Sequence, residues 1–171
     1  MLAVANTISA FFTSSSSAIV DKEGHIYIAG DDGYLYCLNS QGLVIWRYGT
    51  TSSIVCTPTI GHDGNIYFSN WMDSNLYCVS PEGNLVWKYY LGGYNTGSSP
   101  VFGHDGTLYV ISDHDNNSVL FAFNNHELKW NITLANVVGS TPAIGSDGTL
   151  YLINKDHQLM AINLDGTIKF I

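Results

Sequence analysis

The chain has 171 residues, 46% of them hydrophobic, with six Lys plus Arg against fourteen Asp plus Glu and a formal charge of −8. Phosphate backbones are held by clustered cations, so this balance excludes nucleic acid as a partner. No apolar run approaches the ~18 residues of a membrane-crossing helix, which argues against membrane insertion. The 12% of charged residues implies a neutral, polar surface that is compatible with an extracellular setting but fixes no compartment.

Residues 1–13 read as an N-terminal arm. The stretch from Leu2 to Phe12 is apolar, yet it lacks a basic leader and is interrupted by Asn6, Thr7 and Ser9, so it makes a poor signal peptide. From there the chain repeats itself. The first copy (14–54) runs Ile19-Val20, turns at Glu23-Gly24, continues Ile26-Tyr27-Ile28-Ala29, turns at Gly30 to Gly33, continues Tyr34-Leu35-Tyr36-Cys37-Leu38, and ends with Leu43 to Tyr48 around Trp46. The second (55–97) opens on Thr57-Pro58, turns at Asp63-Gly64, and carries Asn75-Leu76-Tyr77-Cys78-Val79 and Leu85-Val86-Trp87. The third (98–138) turns at Asp105-Gly106 and ends on Trp130. The fourth (139–171) turns at Asp147-Gly148 and reaches Phe170 with one residue to spare, an incomplete outer strand.

Each copy therefore predicts four short strands, A to D. Gly supplies the positive φ that a tight reversal needs, and apolar runs of strand length flank every turn. Strands B and C are apolar or aromatic on both faces, so both faces must be covered. Small sheets stacked face to face around an axis achieve this, which is the β-propeller solution. The expected fold is all-β: four propeller blades, forming either a four-bladed ring or half of an eight-bladed ring closed by dimerisation. The blade-packing positions are Trp46, Trp87, Trp130 and Phe170, each expected to wedge against a neighbouring blade with its ring buried and any N–H bonded.

The pattern Ser/Thr-Pro, Asp-Gly-x-Ile/Leu-Tyr, Leu-Tyr-Cys/Ala and Gly-x-Leu-x-Trp resembles the pyrroloquinoline-quinone-type (quinoprotein-like) propeller repeat. The resemblance covers Ser14 to Ile171. It implies rings of seven or eight blades, in proteins that include quinone-dependent dehydrogenases and non-enzymatic scaffolds. The family's enzymes hold their quinone against a vicinal disulfide with a calcium ion. This chain has no adjacent cysteine pair and no residue-by-residue match to that site.

The expected function is accordingly non-catalytic, with no cofactor and no metal: a binding and assembly module acting through protein contacts and self-association. A homodimer is favoured, a polymer is the alternative if the rotation does not close, and the arm is the candidate strand to complete the fourth blade. Cys37 and Cys78 occupy a position held by Ala122 and Ala161 in the later copies, so they read as small buried hydrophobes. Asp113, His114 and Asp115 form the one cluster with hard-cation character, and composition reads it as a solvated turn. Trp71 and Asp73 lie in the B–C turn of copy two, with Tyr94 in the following D–A loop. These are candidate contact residues, and the alternative reading is a glycan or small-ligand site at that end of the blades.

Overall fold

In a computed structural model of the chain, the described residues are 16–94, 97–114, 117–135 and 140–171. The N-terminal arm and Asp115 lie outside them. No helix occurs among the described residues, and four four-stranded antiparallel sheets are formed in strict chain order. Blade 1 comprises β1 (Ile19–Val20), β2 (Ile26–Ala29), β3 (Tyr34–Leu38) and β4 (Val44–Gly49). Blade 2 comprises β5 (Thr59–Ile60), β6 (Ile66–Ser69), β7 (Asn75–Val79) and β8 (Leu85–Tyr90). Blade 3 comprises β9 (Val101–Phe102), β10 (Leu108–His114), β11 (Asn117–Asn124) and β12 (Glu127–Ala135). Blade 4 comprises β13 (Ala143–Ile144), β14 (Leu150–Ile153), β15 (Leu159–Ile162) and β16 (Ile168–Phe170). The fourth outer strand has three residues against six, six and nine in the others.

Alternation along the strands divides each blade between two neighbours. In blade 2, Ile66, Phe68, Tyr77 and Val79 pack on blade 1 with Tyr27, Ala29, Leu35 and Cys37. Its opposite face, with Tyr67, Leu76 and Cys78, packs on Leu108, Val110, Phe121 and Phe123 of blade 3. A third core joins Tyr109, Ile111, Leu120 and Ala122 of blade 3 to Leu150, Leu152, Met160 and Ile162 of blade 4. Cys37 and Cys78 are buried free thiols within these cores, as a position shared with alanine requires.

Side-chain clasps at both radii fix the stacking. At the inner strands, the backbone N–H of Ser17 donates to Thr57 Oγ1, that of Thr57 to Ser99 Oγ, and that of Ser99 to Thr141 Oγ1, each at 2.9 Å. At the outer strands, Trp46 lies over Gly83 of the next blade and donates Nε1–H to Pro81 O at 2.8 Å. Trp130 repeats the arrangement over Gly166, donating to Leu164 O at 2.9 Å. Gly83 serves twice here: its φ of 87° reverses the chain, and any Cβ would meet the Trp46 ring at 2.8 Å.

Candidate functional site

The B–C turns and D–A loops share one end of the blades. There Asp73 is a clasp for its own loop: it accepts from the Tyr77 hydroxyl, from Thr51 Oγ1 (3.0 Å) and from the Asn75 N–H (3.0 Å). Burial pushes the Asp73 carboxyl up, but these donors outweigh it and hold the group below the usual carboxylate range. Trp71 donates its backbone N–H to Ser53 O at 2.8 Å, which ties the turn to the preceding D–A crossing and leaves the indole 48% exposed beside exposed Met72.

Asp113 and His114 are not in a solvated turn. They end strand β10, paired with Ser118 and Asn117 of β11, and Tyr94 from the D–A loop adds two further backbone hydrogen bonds of 2.8 and 2.7 Å to Asp113. The Asp113 carboxylate is buried and accepts from Ser118 Oγ at 2.6 Å, which turns it inward from any solvent-borne cation. The structure thus brings Tyr94, Asp113 and His114 together, with Trp71 and Asp73 grouped on a separate blade.

Two concavities lie at the opposite end, where the A–B and C–D turns sit. One, of about 740 Å³, is lined by Asp21, His25, His62, Asp63 and Glu82 between blades 1 and 2. The other, of about 570 Å³, lies between blades 2 and 3 and is lined by His62, Asp63, Tyr67, Phe102, Asp105 and His126. At its floor the Tyr67 hydroxyl donates to Asp63 Oδ2 at 2.8 Å and meets His126 Nε2 at 2.9 Å. The His126 ring is stacked on Trp87, 5.0 Å between centroids and 16° between planes. Burial pushes the neighbouring Cys78 thiol up to about 11.

Sequence reasoning passed over His126. The signal was present: Gly42, Gly83 and Gly166 each stand four residues before the outer-strand aromatic, and His126 occupies that slot before Trp130.

The ends of the blade stack form a third surface. The position of Leu35, Leu76 and Leu120 is 0% exposed in blades 1 to 3, whereas Leu159 in blade 4 is 49% exposed. Ala29, Ser69 and Ile111 are likewise 0% exposed, against 58% for their counterpart Ile153. Phe170 is exposed where Trp46, Trp87 and Trp130 are half-buried. At the other end Ile26 and Ile28 are only half-buried, while their counterparts Ile66 and Phe68, Leu108 and Val110, and Leu150 and Leu152 are buried. Among the described residues, blade 4 and blade 1 do not cover one another.

The family described as the lambda-carrageenase beta-propeller domain matches residues 19–154. The chain belongs to this β-propeller family. The quinoprotein-like resemblance therefore holds at the level of the propeller blade, and the family that matches is the carrageenase type.

Among solved structures, the propeller overlays BamB from Moraxella catarrhalis with a TM-score of 0.71 at 17% identity, covering 95% of this chain and 51% of that one. It overlays a catalytically inactive virginiamycin B lyase from Staphylococcus aureus with a TM-score of 0.72 at 19% identity, covering 96% and 57%. For BBS1N, solved in complex with ARL6DN, the values are 0.61 and 22%, covering 79% and 45%. The chain thus spans about half the length of these structures, and identities this low describe the fold alone. A comparison with curated protein sequences gives no match.

Proposed function

We propose that this chain is a non-catalytic propeller module whose function is assembly, and that the occupant of its open end faces is a second copy of the same chain. The observation behind this is the contrast in burial at identical repeat positions: side chains fully covered at three internal junctions are about half exposed on blade 4 and, at Ile26 and Ile28, half-buried on blade 1. Apolar area of this kind, placed on a sheet face already shaped for a blade, marks an interaction surface.

Each face also has its complement on the other end of the chain. The open face of blade 4 is the type that elsewhere packs on the next blade, and the open face of blade 1 is the type that receives the preceding one. One two-fold rotation then makes two identical blade 4 to blade 1 junctions and closes a ring of eight blades. The overlay on about half of longer propellers supports an arc of this extent. The inner clasp supports it too, since Ser17 Oγ stands in the repeat position of the acceptors Thr57, Ser99 and Thr141 and would take the Thr141 N–H of the partner.

Light scattering across a concentration series tests the proposal. A species of twice the chain mass that dissociates on dilution is expected; a monomer at all concentrations would remove it, and an open-ended series of masses would replace the ring by a polymer.

A second reading is a glycan-binding module, supported by the family's description as a domain of a lambda-carrageenase and by exposed Trp71 and Tyr94. Titration with lambda-carrageenan oligosaccharides, read by quenching of tryptophan fluorescence and repeated with Trp71→Ala, tests it. Quenching that survives the substitution would point to another surface.

A further inference from the structure

Blade 3 departs from the repeat at one turn. Gly42, Gly83 and Gly166 close the C–D turns of the other blades at φ between 78° and 87°, but blade 3 places Asn125 and His126 there, at φ 49° and 67°. Histidine enters the left-handed region more readily than most side chains, and exposed His157 does so at φ 61°; what sets His126 apart is that its ring is held there by neighbours from another blade. Those contacts are the Trp87 stack and the Tyr67 hydroxyl.

The consequence is a mixed donor set spanning two blades. One ligand atom each from Asp63, Cys78 and His126 lies within 4.8 Å of the others. Asp63 comes from the A–B turn of blade 2, Cys78 from β7 and His126 from the C–D turn of blade 3. The nearest precedent in the chain is blade 1, where the Tyr27 hydroxyl donates to Asp21 Oδ2 at 3.0 Å and Cys37 occupies the place of Cys78. There the next blade offers Gly83 in place of a histidine; His25 of the same turn meets Asp21 at 2.9 Å, but among the described residues it does not gather with Cys37 into a three-donor group. Asp63 is itself fixed by Asn65, whose backbone N–H and Nδ2 donate to it at 3.1 and 2.7 Å.

We propose that Asp63, Cys78 and His126 bind a divalent transition-metal ion of the zinc class across the junction of blades 2 and 3. The sequence alone reads Cys78 as a small hydrophobe, and the fold adds the two donors that change its meaning. Carboxylate oxygen, thiolate sulfur and imidazole nitrogen suit zinc or cobalt(II), which accept three protein ligands and one further position in a tetrahedral site. The carboxylate and the thiolate together cancel the charge of the ion, and the thiol proton leaves to solvent as the metal enters. The 570 Å³ cavity opens on Asp63, Tyr67 and His126, while Cys78 is fully buried and does not line it, so the ion reaches the sulfur only as the Tyr67 hydroxyl moves aside. In the metal-free chain the Tyr67 hydroxyl holds Asp63 and His126 in place.

The test is titration of the full chain with cobalt(II) alone, followed by optical absorption, and displacement by zinc. One equivalent should bind with a thiolate-to-cobalt charge-transfer band. Two variants restore residues that the repeat itself uses: Cys78→Ala, as at Ala122 and Ala161, and His126→Gly, as at Gly83 and Gly166. Both should retain the melting behaviour of a folded propeller. Cys78→Ala should abolish the band, and His126→Gly should weaken binding more than about 100-fold, since even loss of an outer-shell partner costs 10–100-fold. Absence of the band in the parent chain, its persistence in Cys78→Ala, or unchanged affinity in His126→Gly would each overturn the site.

Discussion

Leu159→Ala separates the assembly from the fold. In the isolated chain this side chain is 49% exposed, whereas Leu76 in the same repeat position is 0% exposed. Removing a fully buried Leu costs about 2–5 kcal/mol through lost transfer energy and the cavity left behind. If blade 4 is covered by blade 1 of a partner, Leu159 becomes the equivalent of Leu76 at that junction. A two-fold ring contains the junction twice, so the dimer should lose about 4–10 kcal/mol in all; less the loss of the two free monomers, association should weaken by at least about 1 kcal/mol, a rise in Kd of about fivefold or more. The monomer should lose under about 1.5 kcal/mol, because only half of the side chain is withdrawn from water there. Sedimentation equilibrium of parent and variant, with urea unfolding of each at concentrations where both are monomeric, reads the two quantities independently. An unchanged association constant with an unchanged parent dimer would place the interface elsewhere and refute the junction. Leu76→Ala is the complementary variant: it should lower fold stability by about 2–5 kcal/mol.

Gly83→Ala should destabilise by about 1–3 kcal/mol, since it combines a φ of 87° with a Cβ 2.8 Å from the Trp46 ring; a chemical denaturation midpoint equal to that of the parent would count against the Trp46 clasp. Stability should also fall as the solution is acidified below about pH 4. Asp63 and Asp73 titrate below their unfolded value of about 3.9, because hydrogen bonds to each carboxylate outweigh the opposing effect of burial. The unfolded chain therefore binds more protons in this range, so their contribution is full above the unfolded pKa and is lost as pH falls through the folded one. Denaturation at pH 3 and pH 7, repeated on Asp73→Asn, should show a shallower pH dependence in the variant; equal slopes would deny Asp73 this role. Substituting Tyr77 by Phe should raise the Asp73 pKa toward the ordinary carboxylate value, measurable by carboxyl carbon NMR titration, and an unmoved titration would show the phenol to be a bystander.

What the sequence makes legible follows from which residues leave the backbone no choice. The Asp-Gly turns and the outer-strand tryptophans were readable because Gly at φ near 80° and a large ring at a fixed interval each demand one arrangement. Asp113 and His114 misled because composition describes local preference alone. The residues that follow Asp113 favour a turn, but pairing with Ser118 and Asn117 across the hairpin, and of Asp113 with Tyr94 from a distant loop, keeps Asp113 and His114 in the strand. The clasps among Ser17, Thr57, Ser99 and Thr141 were hidden for the same reason, since each joins residues 40 or 42 apart. His126 differs from both cases. Its irregularity is visible as a histidine in a glycine column, while its meaning appears only when stacking sets it against Asp63 and Cys78. In a repeat protein a departure from the repeat is thus the most informative local signal, because every conforming residue is already explained by packing. On that logic the open faces carry the opposite signal: among the described residues Ile153 and Leu159 conform to the apolar repeat with no blade covering them, and that conformity describes a face shaped to take another blade.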